Sequence, residues 1–293
     1  MNIFFLNEFF PSFLQMILLA ALSPLVSGII KKTKALLQNR RGADIMQDYY
    51  DLRKWWKKRT IISPYSGFVF MLAPFMYLLS TMLAAFLLPN MISALTLGDI
   101  FVFVGLLATG RSYMALSSFD AGSAFGGMGG SREVYIATCV EPVMLLAVLT
   151  AILKSGSTSI YAMTINGGTQ LNVAAVLLCI AFFILMLAEN GRIPVDNPDT
   201  HLELTMIHEC MLLEYSGRLL AVIHLANMIK NMLFIVLFSL VFFPVDLNLV
   251  IKVIITAMAI AVMESLNNKM RLFKVRAYLL ATGGLLLLAI VAQ

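Results

Sequence analysis

The chain has 293 residues, of which 60% are hydrophobic and only 13% charged, and it carries a net charge of +5. A soluble domain carries about a quarter charged residues, and this much apolar surface cannot be hidden in one globular core. Composition therefore excludes a soluble enzyme or a nucleic-acid module, and lipid is the natural solvent.

No basic leader or small-residue cleavage site precedes the first apolar run, where Asn2, Asn7 and Glu8 stand, so the first span is expected to be retained. A helix needs about 20 apolar residues to cross the hydrocarbon. Eight stretches qualify: 9–30, 64–88, 98–117, 134–153, 172–189, 219–243, 248–266 and 275–292. The first is expected to break at Pro24. The pattern is far from the short alternation of a barrel, so the expected fold is all-α: one polytopic membrane domain of about eight transmembrane helices. After the first span, Leu36, Leu37, Ile45, Met46, Tyr49, Leu52, Trp55 and Trp56 recur at helical spacing among charges, including Arg40 and Arg41. This segment, 33–58, reads as an amphipathic surface helix interrupted at Gly42, with the tryptophans at headgroup level.

Basic residues crowd 31–63 and 267–274, and Arg132, Arg192 and Arg218 stand in or beside the loops 118–133 and 190–218. The intervening loops offer only Lys154 and Lys252. The positive-inside rule makes the four basic loops cytoplasmic and puts both termini outside. Cys139, Cys179 and Cys210 are far apart and form no C-x-x-C pair, which reads as unpaired thiols rather than cluster ligands.

A charge inside a spanning helix is expensive and marks function by default. Arg111, Glu141, His224, Lys230 and Glu264 nonetheless fall within the spans, and Glu133, Glu189, Glu214 and Arg218 stand at span ends. Nearly all belong to the cytoplasmic half, which suggests a hydrated chamber open to the inside. His224, Asn227 and Asn231 share one face of the sixth span. The competing reading is a set of inert buried pairs that only pin helix packing.

The fifth span ends in A-E-N-G-R-I-P-V-D-N-P-D-T-H-L-E-L, residues 188–204, and leads through His208 and Glu209 to E-Y-S-G-R at 214–218. Gly191, Pro194, Asn197 and Pro198 make a loop, and Asp199 or Thr200 can cap a short helix bearing Glu203. The acids Asp196, Asp199, Glu203, Glu209 and Glu214, with His201 and His208, match no familiar metal-ligand spacing. A solvated acidic loop or a docking and proton-entry loop remains.

This E-x-x-R-x-P-x-D segment resembles the acidic loop of the quinone-chamber subunit of respiratory complex I, the NADH dehydrogenase subunit 1 family. The variant R-I-P-V-D-N-P-x-T-H-L-E-L-T-M-I-H-E is similar to the membrane-anchor subunits of energy-converting nickel–iron hydrogenases, of the formate hydrogenlyase type. Q-N-R-R-G at 38–42, L-A-P-F at 72–75, the spacing of Arg132 and Glu141, and E-S-L-N-N-K-M-R-L-F-K-V at 264–275 agree. Val195 and Asp199-Thr200-His201 depart from the complex I form, which weakens a quinone reaction.

The resemblance implies a non-catalytic membrane subunit of a prokaryotic inner-membrane oxidoreductase. Nickel–iron and iron–sulfur groups are expected in partners, namely hydrogenase large and small subunits and an iron–sulfur protein, beside antiporter-like membrane subunits; no cofactor is expected on this chain. Its function would be to anchor that arm and couple electron transfer to proton translocation through Arg111, Arg132, Glu133, Glu141 and Lys230. The alternatives are a quinone-binding subunit of a complex I-like dehydrogenase, a solitary carrier, and a structural anchor only.

Overall fold

The computed structural model describes residues 2–89, 98–167, 172–197 and 206–293, with side chains for all of these except 2–9, 166 and 167. Among the described residues there is no strand, only an isolated bridge between Asp99 and Ser159. The helices are α1 (Asn2–Leu37), α2 (Gln47–Lys57), α3 (Phe68–Leu87), α4 (Ile100–Asp120), α5 (Ala124–Ser155), α6 (Ile160–Gly167), α7 (Val173–Glu189), α8 (His208–Leu212), α9 (Gly217–Phe242), α10 (Leu249–Leu266) and α11 (Leu272–Val291).

Seven of these, α1, α3, α4, α5, α9, α10 and α11, are long and apolar enough to cross a membrane, and α7 is a shorter apolar helix of 17 residues. The chain is a multi-span membrane protein. In lipid every backbone group must be satisfied within the chain, which is why apolar runs become helices. Helix α9 is the hub: it packs on α1, α2, α3, α6, α7 and α10 and is the most buried of the spans.

Two helices differ from the sequence expectation. Helix α1 does not break at Pro24. A proline there leaves the carbonyl four residues back without its donor, and Ser23 Oγ donates to that Ala20 carbonyl at 2.9 Å. The expected loop 118–133 is almost all helix, because α5 begins at Ala124 with Ser123 Oγ accepting from Gly126 N. Its glycines allow close packing: a Cβ on Gly129 would fall 3.0 Å from Cys210 Cβ, so α8 lies directly on α5.

The basic loops meet at one end of the bundle. Ser216 Oγ and Ile61 exchange hydrogen bonds at 2.8 Å, Met270 N donates to Pro194 O at 2.8 Å, and Arg132 Nη1 donates to Met206 O at 3.0 Å. At the other end Ile160 N donates to Gly98 O. Gln15 bonds Leu88 O and Gln293 bonds Thr150 O, so the N-terminal half of α1 and the C-terminus belong to that opposite end.

Helix α2 lies as an amphipathic helix against α1 and α9. Trp55 stacks on His224 of α9 with ring centroids 4.4 Å apart, and Lys31 of α1 pairs with Asp48. Gly42, in the link between α1 and α2, has φ +61°, a conformation glycine adopts freely.

Candidate functional site

Helix α7 is about 25 Å long at 1.5 Å per residue, at the short end of the lengths that cross a membrane, and its last turn is buried inside the bundle. The irregular backbone beyond it is enclosed by protein, with Ile193, Val195 and Asp196 all buried. Non-helical backbone at membrane depth is tolerated only under such cover. Glu189, the last residue of α7, is thus held among the helices.

Its carboxylate is a junction. Glu189 Oε2 lies 2.6 Å from Arg111 Nη1 of α4, and Oε1 lies 3.0 Å from Lys230 Nζ of α9, which also donates to the Glu189 carbonyl at 2.8 Å. Arg111 extends its other nitrogen, Nη2, to Glu141 Oε1 of α5 at 2.5 Å. Arg111, Glu189 and Lys230 side chains are enclosed, whereas that of Glu141 is 49% exposed. The four groups carry two charges of each sign, so each is compensated where burial of a lone charge would be prohibitive.

A second junction lies at Glu264 of α10. Its Oε1 is 2.7 Å from Arg192 Nη1 and its Oε2 is 3.5 Å from Lys34 Nζ of α1. A cavity of about 200 Å³ borders the second junction, lined by Lys34, Arg192 and Glu264 together with Asn190, Asn231, Asp48, Trp55 and His224. Two more cavities open beyond Arg111: one of about 180 Å³ with Arg111, Glu133, Thr138 and Glu141, and one of about 170 Å³ with Arg111, Glu141 and Glu189 among apolar residues. Each junction is thus bordered by at least one cavity, and roomy polar cavities hold water.

The described part of the acidic loop is anchored through Asp196. Asp196 is 2% exposed; its Oδ2 accepts from Ile207 N at 3.2 Å and His208 N at 3.1 Å, and its Oδ1 accepts from Asn197 N at 2.9 Å and Lys269 Nζ at 2.6 Å. Glu209 reaches the large cavity, and Glu133 half-buries at the smaller one. Glu214 is half-buried and Arg218 exposed, and neither joins the ion-pair junctions. His208 contributes its backbone to Asp196, while its Nε2 is buried without a partner among the described residues. Arg40, Arg41 and Trp56 are exposed around α2. Asp199, His201 and Glu203 lie outside the described residues. Among the described residues no three His, Cys, Asp or Glu side chains converge as a metal site, and Cys139, Cys179 and Cys210 form no disulfide.

Tyr215 closes the loop against the membrane helices. Pro74 deprives the Phe70 carbonyl of its helical donor, and Tyr215 Oη supplies one at 2.9 Å while its ring stacks on Phe70 at 4.0 Å. Burial, opposed by a hydrogen bond from Ser117 and assisted by Asp120, pushes its phenol up to about 12.

Sequence reasoning missed Asp48 and Asn190, and it read Lys34 and Lys269 as topology signals only. Lys34 had a usable signal, since it follows Ile30 by four residues on the apolar stripe of α1. Asn190 and Asp48 had none, because their importance depends on what folds over them.

The family model described as NADH dehydrogenase matches residues 11–292. Hydrogenase-4 component C of Escherichia coli (strain K12) is 34% identical over 235 residues, covering 78% of this chain and 74% of the relative. Formate hydrogenlyase subunit 4 of the same organism is 32% identical over 237 residues, 79% of this chain and 76% of the relative. A subunit of the NADH-quinone oxidoreductase of Salinibacter ruber (strain DSM 13855 / M31) is 26% identical over 217 residues, 68% of this chain and 62% of the relative. In fold, the chain is similar to one in the membrane-bound sulfane sulfur reductase, an archaeal respiratory membrane complex, with a TM-score of 0.86, 18% identity, and coverage of 97% and 98% of the two chains. On a match that runs almost from end to end, with two relatives above 30% identity, the chain belongs to the NADH dehydrogenase subunit 1 family.

Proposed function

We propose that this protein is the membrane subunit of a multisubunit hydrogenase complex, anchoring the peripheral redox arm and coupling electron transfer to proton movement. The observation that carries this reading is the pair of ionic junctions, Lys34–Glu264–Arg192 and Lys230–Glu189–Arg111–Glu141, each bordered by a cavity. Inert pins would be compensated by one partner each and sealed by packing. Here Glu189 and Arg111 each have two partners, and cavities flank them. A proton arriving at either carboxylate junction changes which pairing is favoured, and the change is felt at the next junction.

The relatives named for hydrogenase-4 and formate hydrogenlyase favour a hydrogenase over a quinone-reducing dehydrogenase. On this reading the nickel–iron and iron–sulfur groups belong to the large, small and iron–sulfur subunits, which dock on the end bearing α2, α8 and the acidic loop. That end faces the cytoplasm of a prokaryotic inner membrane and both termini lie outside on this reading, which the distribution of basic loops supports. Glu141 is half-exposed on a spanning helix beside the exposed Thr138 and Ser112. A carboxylate facing lipid is costly, so an antiporter-like membrane partner covers this face.

The test is Glu141→Gln in the assembled complex in inverted vesicles. Hydrogen production is expected to continue while the proton gradient per hydrogen formed falls. An undiminished gradient at the same turnover reduces the chain to an anchor.

A further inference from the structure

The basic residues at the end bearing α2 divide into two groups. Lys31 is paired with Asp48, Lys34 and Arg192 with Glu264, and Lys269 with Asp196. Arg53, Lys54, Lys57, Lys58 and Arg59 are all exposed, and none of the five forms an ion pair among the described residues. They close α2 and open the link that follows it, with Trp55 and Trp56 between them. The acids of the same helix, Asp48 and Asp51, line the cavity on its inner face. Lys54 and Lys57 complement the helix dipole in the last turn of α2, but Lys58 and Arg59 lie beyond the helix. Capping therefore does not account for the group, and like charges this close repel one another until a counter-charge arrives.

The cluster stands at the head of α3. A Cβ on Gly217 would fall 2.5 Å from the Arg59 carbonyl oxygen and 3.0 Å from that of Lys58, while Tyr215, two residues earlier, stacks on Phe70 in the first turn of α3. An exposed apolar stripe starts there. Phe68, Met71, Phe75, Leu79 and Leu83 follow one another at intervals of three and four residues, on one face of the helix. Ile61 and Tyr65, in the link between the cations and the stripe, are exposed as well, and so is Trp56. Indole beside lysine and arginine at the end of an apolar stripe is the composition of a headgroup layer. A neighbouring helix can cover such a stripe, but an acyl chain covers it and brings a phosphate to its end.

We propose that the last turn of α2 and the link after it bind an anionic phospholipid, its phosphate held by Arg53, Lys54, Lys57, Lys58 and Arg59 and its acyl chains laid along the α3 stripe. Each basic residue beside an anionic headgroup raises the local preference for that lipid about fivefold, and both guanidinium and ammonium groups bind phosphate. The lipid holds α2 from outside, while the stacking of Trp55 on His224 holds it from inside. The site lies on the outer surface of α2 and does not rest on the coupling reading.

The experiment uses the full chain with Trp55→Phe, which keeps an aromatic ring against His224 and leaves Trp56 as the sole tryptophan. The protein is placed in phosphatidylcholine nanodiscs holding a minor fraction of phosphatidylglycerol. Trp56 quenching is compared with brominated chains on the anionic lipid and, at equal mole fraction, on the neutral one. An enrichment of the anionic lipid of at least about threefold is expected, and it is expected to fall in high salt. It is expected to vanish when Arg53→Gln, Lys54→Gln, Lys57→Gln, Lys58→Gln and Arg59→Gln are combined, with helical circular dichroism verifying the fold. Inorganic phosphate added to neutral discs is expected to leave Trp56 emission unchanged. In the assembled complex, a photoactivatable phosphatidylglycerol is expected to label the segment 53–83. Equal quenching by the two lipids, or an enrichment that survives in the combined variant, overturns the proposal. Labelling of the lone chain but not of the complex overturns it as well and assigns the patch to an acidic face of a peripheral subunit.

Discussion

Glu189 and Arg111 meet at 2.6 Å although 78 residues separate them, because α7 ends opposite the middle of α4. The contact makes the two carboxylates of the first junction unequal. Glu189 is enclosed with two cations, whereas Glu141 is half-exposed with one.

Glu189→Gln is therefore expected to destabilise the chain by about 3–5 kcal/mol, since it strips Lys230 of its charge partner and leaves Arg111 with Glu141 alone. Glu141→Gln leaves Arg111 paired with Glu189, and its cost is expected at about 1 kcal/mol. Denaturant unfolding of both variants in micelles checks the ranking. Equal losses contradict the assigned geometry.

Asp196 gathers three backbone donors and Lys269 around one carboxylate. Asp196→Ala leaves those donors buried without acceptors, at about 1–3 kcal/mol each for those that water cannot reach. The expected result is rapid proteolytic cutting between residues 190 and 216 while the spanning helices stay intact. Mass analysis of the fragments reads it directly.

Tyr215→Phe removes the donor that serves the Phe70 carbonyl beneath Pro74. A loss of about 1–3 kcal/mol at neutral pH is expected. The pH dependence has a definite sign. The folded phenol titrates near 12, above the ordinary value of 10, so the folded state keeps its proton longer. The stability it contributes is complete below about pH 10 and is lost as pH rises toward 12. Alkaline unfolding is expected to be shallower in the phenylalanine variant over that window.

Gly217 sits at φ +56°, and a Cβ there would fall 2.5 Å from the Arg59 carbonyl oxygen. Gly217→Ala is expected to separate the start of α9 from the link that follows α2 and to lower Tm. Gly127→Ala, where a Cβ meets nothing within 4 Å in a helix, is expected to be neutral or stabilising. A calorimetric scan of the pair distinguishes backbone strain from a general intolerance of bulk.

Several features were legible before folding. Arg111, Glu141, Glu189, Lys230 and Glu264 stand out in apolar runs, and all five enter the two junctions. His224 stands out likewise, but it stacks on Trp55 and lines the cavity instead of joining an ion pair. Pro24 misled, because in water it signals a break, whereas in this membrane helix Ser23 repairs it.

The sequence by itself determined the solvent, the helical class, the alternation of basic loops and the identity of the costly charges. These depend on hydropathy and on local spacing, which act along the chain. Only the tertiary structure decided which charge neutralises which, that α7 ends inside the bundle, and that Asp48, Asn190 and Asn231 converge on one cavity. Pairing in a low-dielectric interior is fixed by distances between helices, and those distances are set by packing that no local pattern encodes.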